Sequence, residues 1–288
     1  MTSRHQWRPF AGAVVATLVL VGAAALFSVH RGGGHAASAA NVQPTSVPST
    51  TVAPVTTTAP PTTVPPTTPA PTTTTQPKPG LGLLTPPAPT PVALPGGNLA
   101  PVYSRIPTTN KVIFLGIDDG LVRDPAVTQL LADANVPFTM FLVKEPADDG
   151  TDYFRQLQQV GGTVEDHTIT HPDLTKLGYA QVRNEVCGTL DDFQNLFGRR
   201  PTLFRPPYGS TNQNVQLAAA SCGLKAVILW KGSTNDGRFD LQEGTQLTPG
   251  DIVLMHFRTD LLENLERVFQ VCREQGFAIA RLEDYIPG

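Results

Sequence analysis

From residue 111 onward the chain alternates short apolar runs with stretches in which apolar residues recur every three or four positions. Runs near Val112, Phe138, Thr163, Leu203, Ala226, Ile252 and Phe277 read as strands, several of them bounded by Asn, Asp, Gly or Pro. Most of the intervals carry a helical pattern. The clearest, Val182, Val186, Leu190, Phe193 and Phe197, predicts one long helix with a single apolar face. Strand–helix alternation predicts a parallel sheet, and seven strands in that arrangement predict an α/β fold of the distorted (β/α)7 barrel type. Such a barrel gathers its chemistry at the C-terminal ends of its strands.

The pattern before residue 111 is different. Arg4 and Arg8 precede a charge-free apolar run from Ala11 to Val29, long enough to span a bilayer, so residues 1–40 read as an uncleaved membrane anchor with the basic end inside. Cleavage at Ala37-Ser38-Ala39 is the alternative and would secrete the chain. From Asn41 to about Pro95, Pro and Thr dominate, a composition that buries no core; residues 41–110 are therefore expected to be an extended, solvated linker. At about 3.1 Å per residue it would hold a domain up to roughly 200 Å from a membrane. The remaining residues, 111–288, suffice for one domain with a sizeable core. It is expected to be extracytoplasmic and monomeric.

A net charge of −3 and a pI near 6.1 leave no basic footprint, which argues against a nucleic-acid partner. The three cysteines, Cys187, Cys222 and Cys272, fall in predicted helices and show no metal-ligand spacing. Outside the membrane one disulfide can form; Cys187 with Cys222 is the favoured pair because successive barrel helices are neighbours, with buried free thiols as the alternative.

Four motifs follow strand-like runs. Lys111 to Ile117 ends at Asp118-Asp119-Gly120, where one carboxylate could bind a cation while the other stays ionised as a base; the same residues also make ordinary turns. In His167-Thr168-Ile169-Thr170-His171-Pro172 the two histidines lie four apart, a spacing that on one helical turn would put both imidazoles on one face, although Pro172 stops that turn. Arg205-Pro206-Pro207-Tyr208 holds a guanidinium on stiff backbone, and a backbone N–H at the Tyr208-Gly209 turn could face an oxyanion. Leu254-Met255-His256 closes the run DIVLM, and Asp236 in the loop before it could pair with a histidine. Of six histidines, the three beyond residue 110 all fall in these motifs. Together they offer a metal site, a base and an acid.

In order and spacing the motifs resemble the polysaccharide deacetylase family, the carbohydrate esterases with a NodB-type domain, over roughly Lys111 to Tyr285. The resemblance implies that Asp119, His167 and His171 bind a divalent metal: zinc, or else cobalt, nickel or manganese. It implies that Asp118 activates the attacking water, Arg205 holds Asp118, Asp236 tunes His256, and His256 protonates the departing sugar amine. Tyr208 would complete the oxyanion hole through its backbone N–H, and Leu254 would line the pocket for the acetyl methyl. The implied partner is a cell-wall polysaccharide, with peptidoglycan or another N-acetylglucosamine polymer as substrate. The chain departs from the family pattern at Gly116-Ile117, where Thr-Phe is usual, at Leu121 for Pro, at Gly237 for Trp, and at Phe257 for Asp. Trp230 could replace the lost Trp as a sugar-stacking surface or be a buried aromatic. An O-acetyl esterase and a silent glycan-binding domain are the alternative functions.

Overall fold

The computed structural model describes residues 79–287; the apolar run Ala11–Val29 and the expected linker as far as residue 78 lie outside them. Among the described residues no helix is long and apolar enough to cross a membrane. In chain order the elements are β1 (Val102–Tyr103), β2 (Val112–Asp119), α1 (Pro125–Ala134), β3 (Phe138–Leu142), α2 (Lys144–Asp149), α3 (Thr151–Gln159) and β4 (Gly162–Asp166). There follow α4 (Tyr179–Cys187), α5 (Leu190–Phe197), β5 (Leu203–Phe204), α6 (Gln213–Ser221), β6 (Ala226–Ile228), β7 (Gly232–Asn235) and β8 (Arg238–Leu241). The chain closes with β9 (Ile252–His256), α7 (Leu261–Gln275), β10 (Ala278–Ile279) and α8 (Leu282–Tyr285).

Each of the seven expected strands is present, as β2 to β6, β9 and β10, and the pairings among them are parallel. Their closure differs from a seven-stranded barrel. The strand order is β1-β6-β5-β4-β3-β2-β9-β7-β8, with β10 on the start of β2, so the sheet is curled and mixed, and β6 does not pair with β9. Between β6 and β9 the chain forms no helix. It crosses through Leu229–Lys231 into β7, which pairs with β9, and Lys231 N–H donates to Ile252 O at 3.0 Å. At the same end, just before β9 begins, the segment after β1 makes a second crossing, with Ile106 N–H on Gly250 O at 2.8 Å and an Arg105–Asp251 ion pair at 2.6 Å.

The β7–β8 hairpin has a two-residue turn, Asp236-Gly237, with φ of 49° and 67° at its two positions. Such a turn matches the twist of the strands and requires positive φ at both positions, which Asp-Gly tolerates. The Gly that stands where the family has Trp is therefore required by the backbone.

Residues 79–110, expected within the linker, belong to the domain. Gly80 N–H donates to Ala134 O at 2.8 Å, Val92 N–H to Tyr285 O at 2.9 Å and Ala100 N–H to Gln216 O at 3.2 Å, while Leu83, Ala100 and Ile106 are buried. Proline removes a donor and blocks a helix, but an extended strap can still bury apolar side chains and pair its other amides.

Every residue of β2 is buried, as fits a strand covered on both faces. One face, with Ile113, Leu115 and Ile117, packs against α1, α3 and α7 through Leu131, Leu157 and Leu265. The other, with Val112 and Phe114, joins Phe141, Leu203, Ile228 and Ile252 on the inside of the curl, where Leu282 and Tyr285 of α8 also pack.

The single long helix expected over 182–197 is two helices, α4 and α5. Thr189 breaks the run by donating its Oγ1 to the buried Asp166 Oδ1 at 2.7 Å. A side chain at Gly188 would meet Ile169 Cδ1 and Asn184 O. The favoured disulfide is formed: Cys187 bonds Cys222, with Cα atoms 5.5 Å apart, tying α4 to the end of α6. Cys272 is buried and free.

Candidate active site

Asp118 ends the inner face of β2. Its Oδ1 accepts from Arg205 Nη1 at 2.6 Å, and the fully buried guanidinium rests 4.1 Å from the Phe141 ring centroid. Burial raises the Asp118 carboxyl to about 6, against the opposing charge of Arg205, so it is mostly ionised at neutral pH. Gly116, two residues earlier on the same face, explains one departure from the family pattern. A β-carbon there would lie 2.5 Å from both Nη atoms of Arg205, so the guanidinium occupies the space a side chain would need.

Asp119 turns away from the strand at φ 76°. Its Oδ1 lies 3.6 Å from His167 Nε2 and 3.5 Å from His171 Nε2, and one ligand atom from each of the three residues falls within 4.8 Å of the others. That oxygen is buried and has no hydrogen-bond partner. His167 Nδ1 lies 2.6 Å from Arg205 O, an arrangement that puts the proton on Nδ1 and leaves Nε2 a lone pair. Burial holds its imidazole neutral, well below the usual range at about 3. Two imidazole nitrogens and one unsatisfied carboxylate oxygen suit a divalent cation.

The histidine pair does not ride on a helical turn. Residues 167–173 form an irregular loop after β4, with Thr168 at φ 76° and His171 at φ 58°, and this turn rather than 3.6-residue periodicity brings the imidazoles to 4.9 Å between centroids.

His256 ends β9 directly opposite Asp118 in the parallel register. Burial lowers its pKa, and the carboxylates opposing that shift are Asp118 and Asp119. Asp236 makes no hydrogen bond or ion pair with His256 among the described residues. The exposed turn that carries Asp236 is pinned by its own N–H to Asp260 Oδ2 at 2.9 Å, and its side chain accepts from Asn235. The hairpin geometry sets that placement, and the carboxylates that act on His256 are those of Asp118 and Asp119.

Tyr208, at φ 61° and 68% exposed, stands with its ring 4.8 Å from that of His171. Both line a cavity of about 710 Å³ together with Asp119, Leu121, Pro146 and Arg258. Leu254 is buried, paired with Gly116 and outside that lining. Trp230 is half-buried and packs against the turn at Gly209, where a β-carbon would come within 2.8 Å of its ring. It thus supports the Tyr208 turn, and the cavity is lined without it.

The polysaccharide deacetylase family matches over residues 105–227. A Streptomyces coelicolor protein, itself uncharacterised, is 34% identical over 197 residues, covering 66% of this chain and 79% of that one. The chain belongs to the polysaccharide deacetylase family. A peptidoglycan-N-acetylglucosamine deacetylase of Bacillus cereus is 29% identical over 161 residues, 52% of this chain, and the match spans 57% of that enzyme's length. Among solved structures, a family 4 carbohydrate esterase pseudoenzyme from Bacillus anthracis aligns with a TM-score of 0.57 at 21% identity, over 64% of this chain and 68% of that one, and shares the fold.

Within this polysaccharide deacetylase fold, several neighbours of the motifs carry no signal in the sequence. Asp166, buried and raised to about 8 by that burial, accepts from Thr168 N–H at 3.0 Å as well as from Thr189. Arg258 reaches to 3.9 Å from Asp119 Oδ2, and Glu185 of α4 bonds the histidine loop from outside. Asp166 and Arg258 adjoin the motifs in the chain, but their contacts, like those of Glu185, are set by the fold. The Asp236-Gly237 turn did carry a signal, an Asp-Gly pair between STN and RFDL, and its hairpin could have been read from it.

Proposed function

We propose that this chain is a metal-dependent hydrolase that removes N-acetyl groups from an envelope polysaccharide of the N-acetylglucosamine type. The observation that carries the reading is the unsatisfied, buried Asp119 oxygen facing two neutral-capable imidazoles beside the Asp118–Arg205 pair and His256. Asp119, His167 and His171 hold the cation, which when bound supplies Lewis acidity for amide hydrolysis. Asp118 takes the proton of the attacking water, and Arg205 fixes the orientation of its carboxylate. His256 sits across from that base and delivers a proton to the leaving amine. Tyr208 presents an exposed ring at the rim for a sugar face.

The setting we propose is outside the cytoplasmic membrane. The apolar run after Arg4 and Arg8, the Pro/Thr-rich stretch and the Cys187–Cys222 disulfide, a bond of oxidising compartments, all support it. The test is acetate release by the purified chain loaded with zinc or cobalt, on N-acetylglucosamine oligomers, on peptidoglycan and on acetylated xylan, beside Asp118→Asn and Asp119→Ala. Acetate from the first two substrates, lost in both variants, is the expected result. Acetate from xylan alone would replace the reading with the O-esterase, and bound metal without acetate from any substrate would replace it with a glycan-binding role.

A further inference from the structure

The loop that presents both metal-facing imidazoles is irregular and carries two non-glycine residues at positive φ, a region that L side chains occupy only when the surroundings impose it. From the inside, Asp166 Oδ1 accepts from Thr168 N–H, and Thr168 Oγ1 accepts from His171 N–H at 3.0 Å. The stretch between, Ile169-Thr170, is held from the outside by one side chain. Glu185 Oε2 accepts from Ile169 N–H at 3.1 Å and from Thr170 N–H at 2.9 Å, and its Oε1 accepts from Thr170 Oγ1 at 2.9 Å. Glu185 itself stands on a fixed support, since α4 buries Val182 and Val186 and is tied through Cys187 to Cys222.

We infer that Glu185 is a positioning residue of the metal centre: by gathering both amides and the hydroxyl of the inter-histidine segment, it aims His167 and His171 at Asp119 before a cation arrives. The inference rests on the metal site proposed above. Glu185 belongs to none of the ligand clusters and acts only through the loop. Outer partners that fix the orientation of a ligand typically change metal affinity by about 10–100-fold when lost; Glu185 does so through the backbone between the two ligands. The hydrogen bonds, rather than the charge, carry the effect. A glutamine at 185 keeps an oxygen for both amides and lets its NH₂ donate to Thr170 Oγ1, whereas aspartate keeps the charge but is one methylene too short to reach both amides.

The experiment measures cobalt and zinc affinity of the metal-free full chain, by competition with a chromogenic chelator, for wild type, Glu185→Ala, Glu185→Asp and Glu185→Gln. Thermal melting of each metal-free protein is recorded alongside. Expected are a Kd raised about 10–100-fold for Ala, about 10-fold for Asp and less than about 3-fold for Gln, with the metal-free Tm of Asp and Gln within a few degrees of wild type. A wild-type Kd in both Ala and Asp would overturn the inference while leaving the metal site standing. So would a Gln variant as weak as Ala, because charge would then be the cause, and so would affinity losses that track falls in metal-free Tm. A wild-type chain that binds neither metal would remove the metal site and the inference together.

Discussion

Gly116→Ala tests the most confined contact in the site. The added β-carbon would lie 2.5 Å from Arg205 Nη1 and Nη2 and 2.8 Å from Cζ, against a comfortable separation of about 3.5 Å, so the guanidinium must move by roughly 1 Å. It has nowhere cheap to go. The side chain is fully buried, lies over Phe141 and donates to Asp118 Oδ1 at 2.6 Å, and a shift of that size takes the bond beyond hydrogen-bonding distance. Overpacking alone costs about 1–3 kcal/mol, and a buried carboxylate that loses its partner adds to it, so a total near 3 kcal/mol is expected. For a domain of this size that is a fall of about 6–12 °C in Tm, with acetate release reduced further because the base loses its support. Denaturant unfolding of wild type, Gly116→Ala, Arg205→Met and the double variant isolates the cause. With the guanidinium gone, the alanine should cost less than about 1 kcal/mol. An equal cost in both backgrounds, or a cost below about 0.5 kcal/mol in wild type, would refute the steric account.

The buried carboxyls Glu165 and Glu283 give a pH signature. Burial raises Glu165 to about 7, with the charge of Glu283 adding to it, and burial raises Glu283 as well. The folded chain therefore binds more protons than the unfolded chain between about 4.5 and 7, and this contribution to stability is lost as pH rises through that window. Glu283→Gln, which removes the like charge, should flatten the decline in urea-unfolding free energy between pH 5 and 8; an unchanged slope would exclude the pair as its source. Replacing both Cys187 and Cys222 with serine opens a loop of 35 residues and should cost about 4 kcal/mol, measured in guanidinium under non-reducing conditions; a loss below about 1 kcal/mol would contradict it. Zinc at about 1,000 times its Kd should stabilise the chain by about 4 kcal/mol, and the gain should vanish in Asp119→Ala; the same zinc-induced shift in both proteins would place the ion elsewhere.

The strands, the chemistry-bearing motifs and the disulfide pair were legible in the chain by itself. Apolar periodicity is a local property, and the apolar residues of 112–117 or 252–255 must be buried wherever they end. Asp118, Asp119, His167, His171, Arg205 and His256 were identifiable because their residue types and order resemble a family pattern, and the fold brings all six to one end of the sheet. Local reading erred where a long-range contact outweighed a local preference. Thr189 broke the 182–197 helix to reach Asp166, the strap at 79–110 was captured by sheet and helix edges, and the Asp236-Gly237 hairpin bonded Asp236 to Asp260 and Asn235 rather than to His256. The clamp of Glu185 on the histidine loop and the shelf that Gly116 leaves for Arg205 depend wholly on tertiary structure. Their partners lie 15 or more residues apart, and one-dimensional spacing holds no record of which buried groups will meet once the sheet has curled.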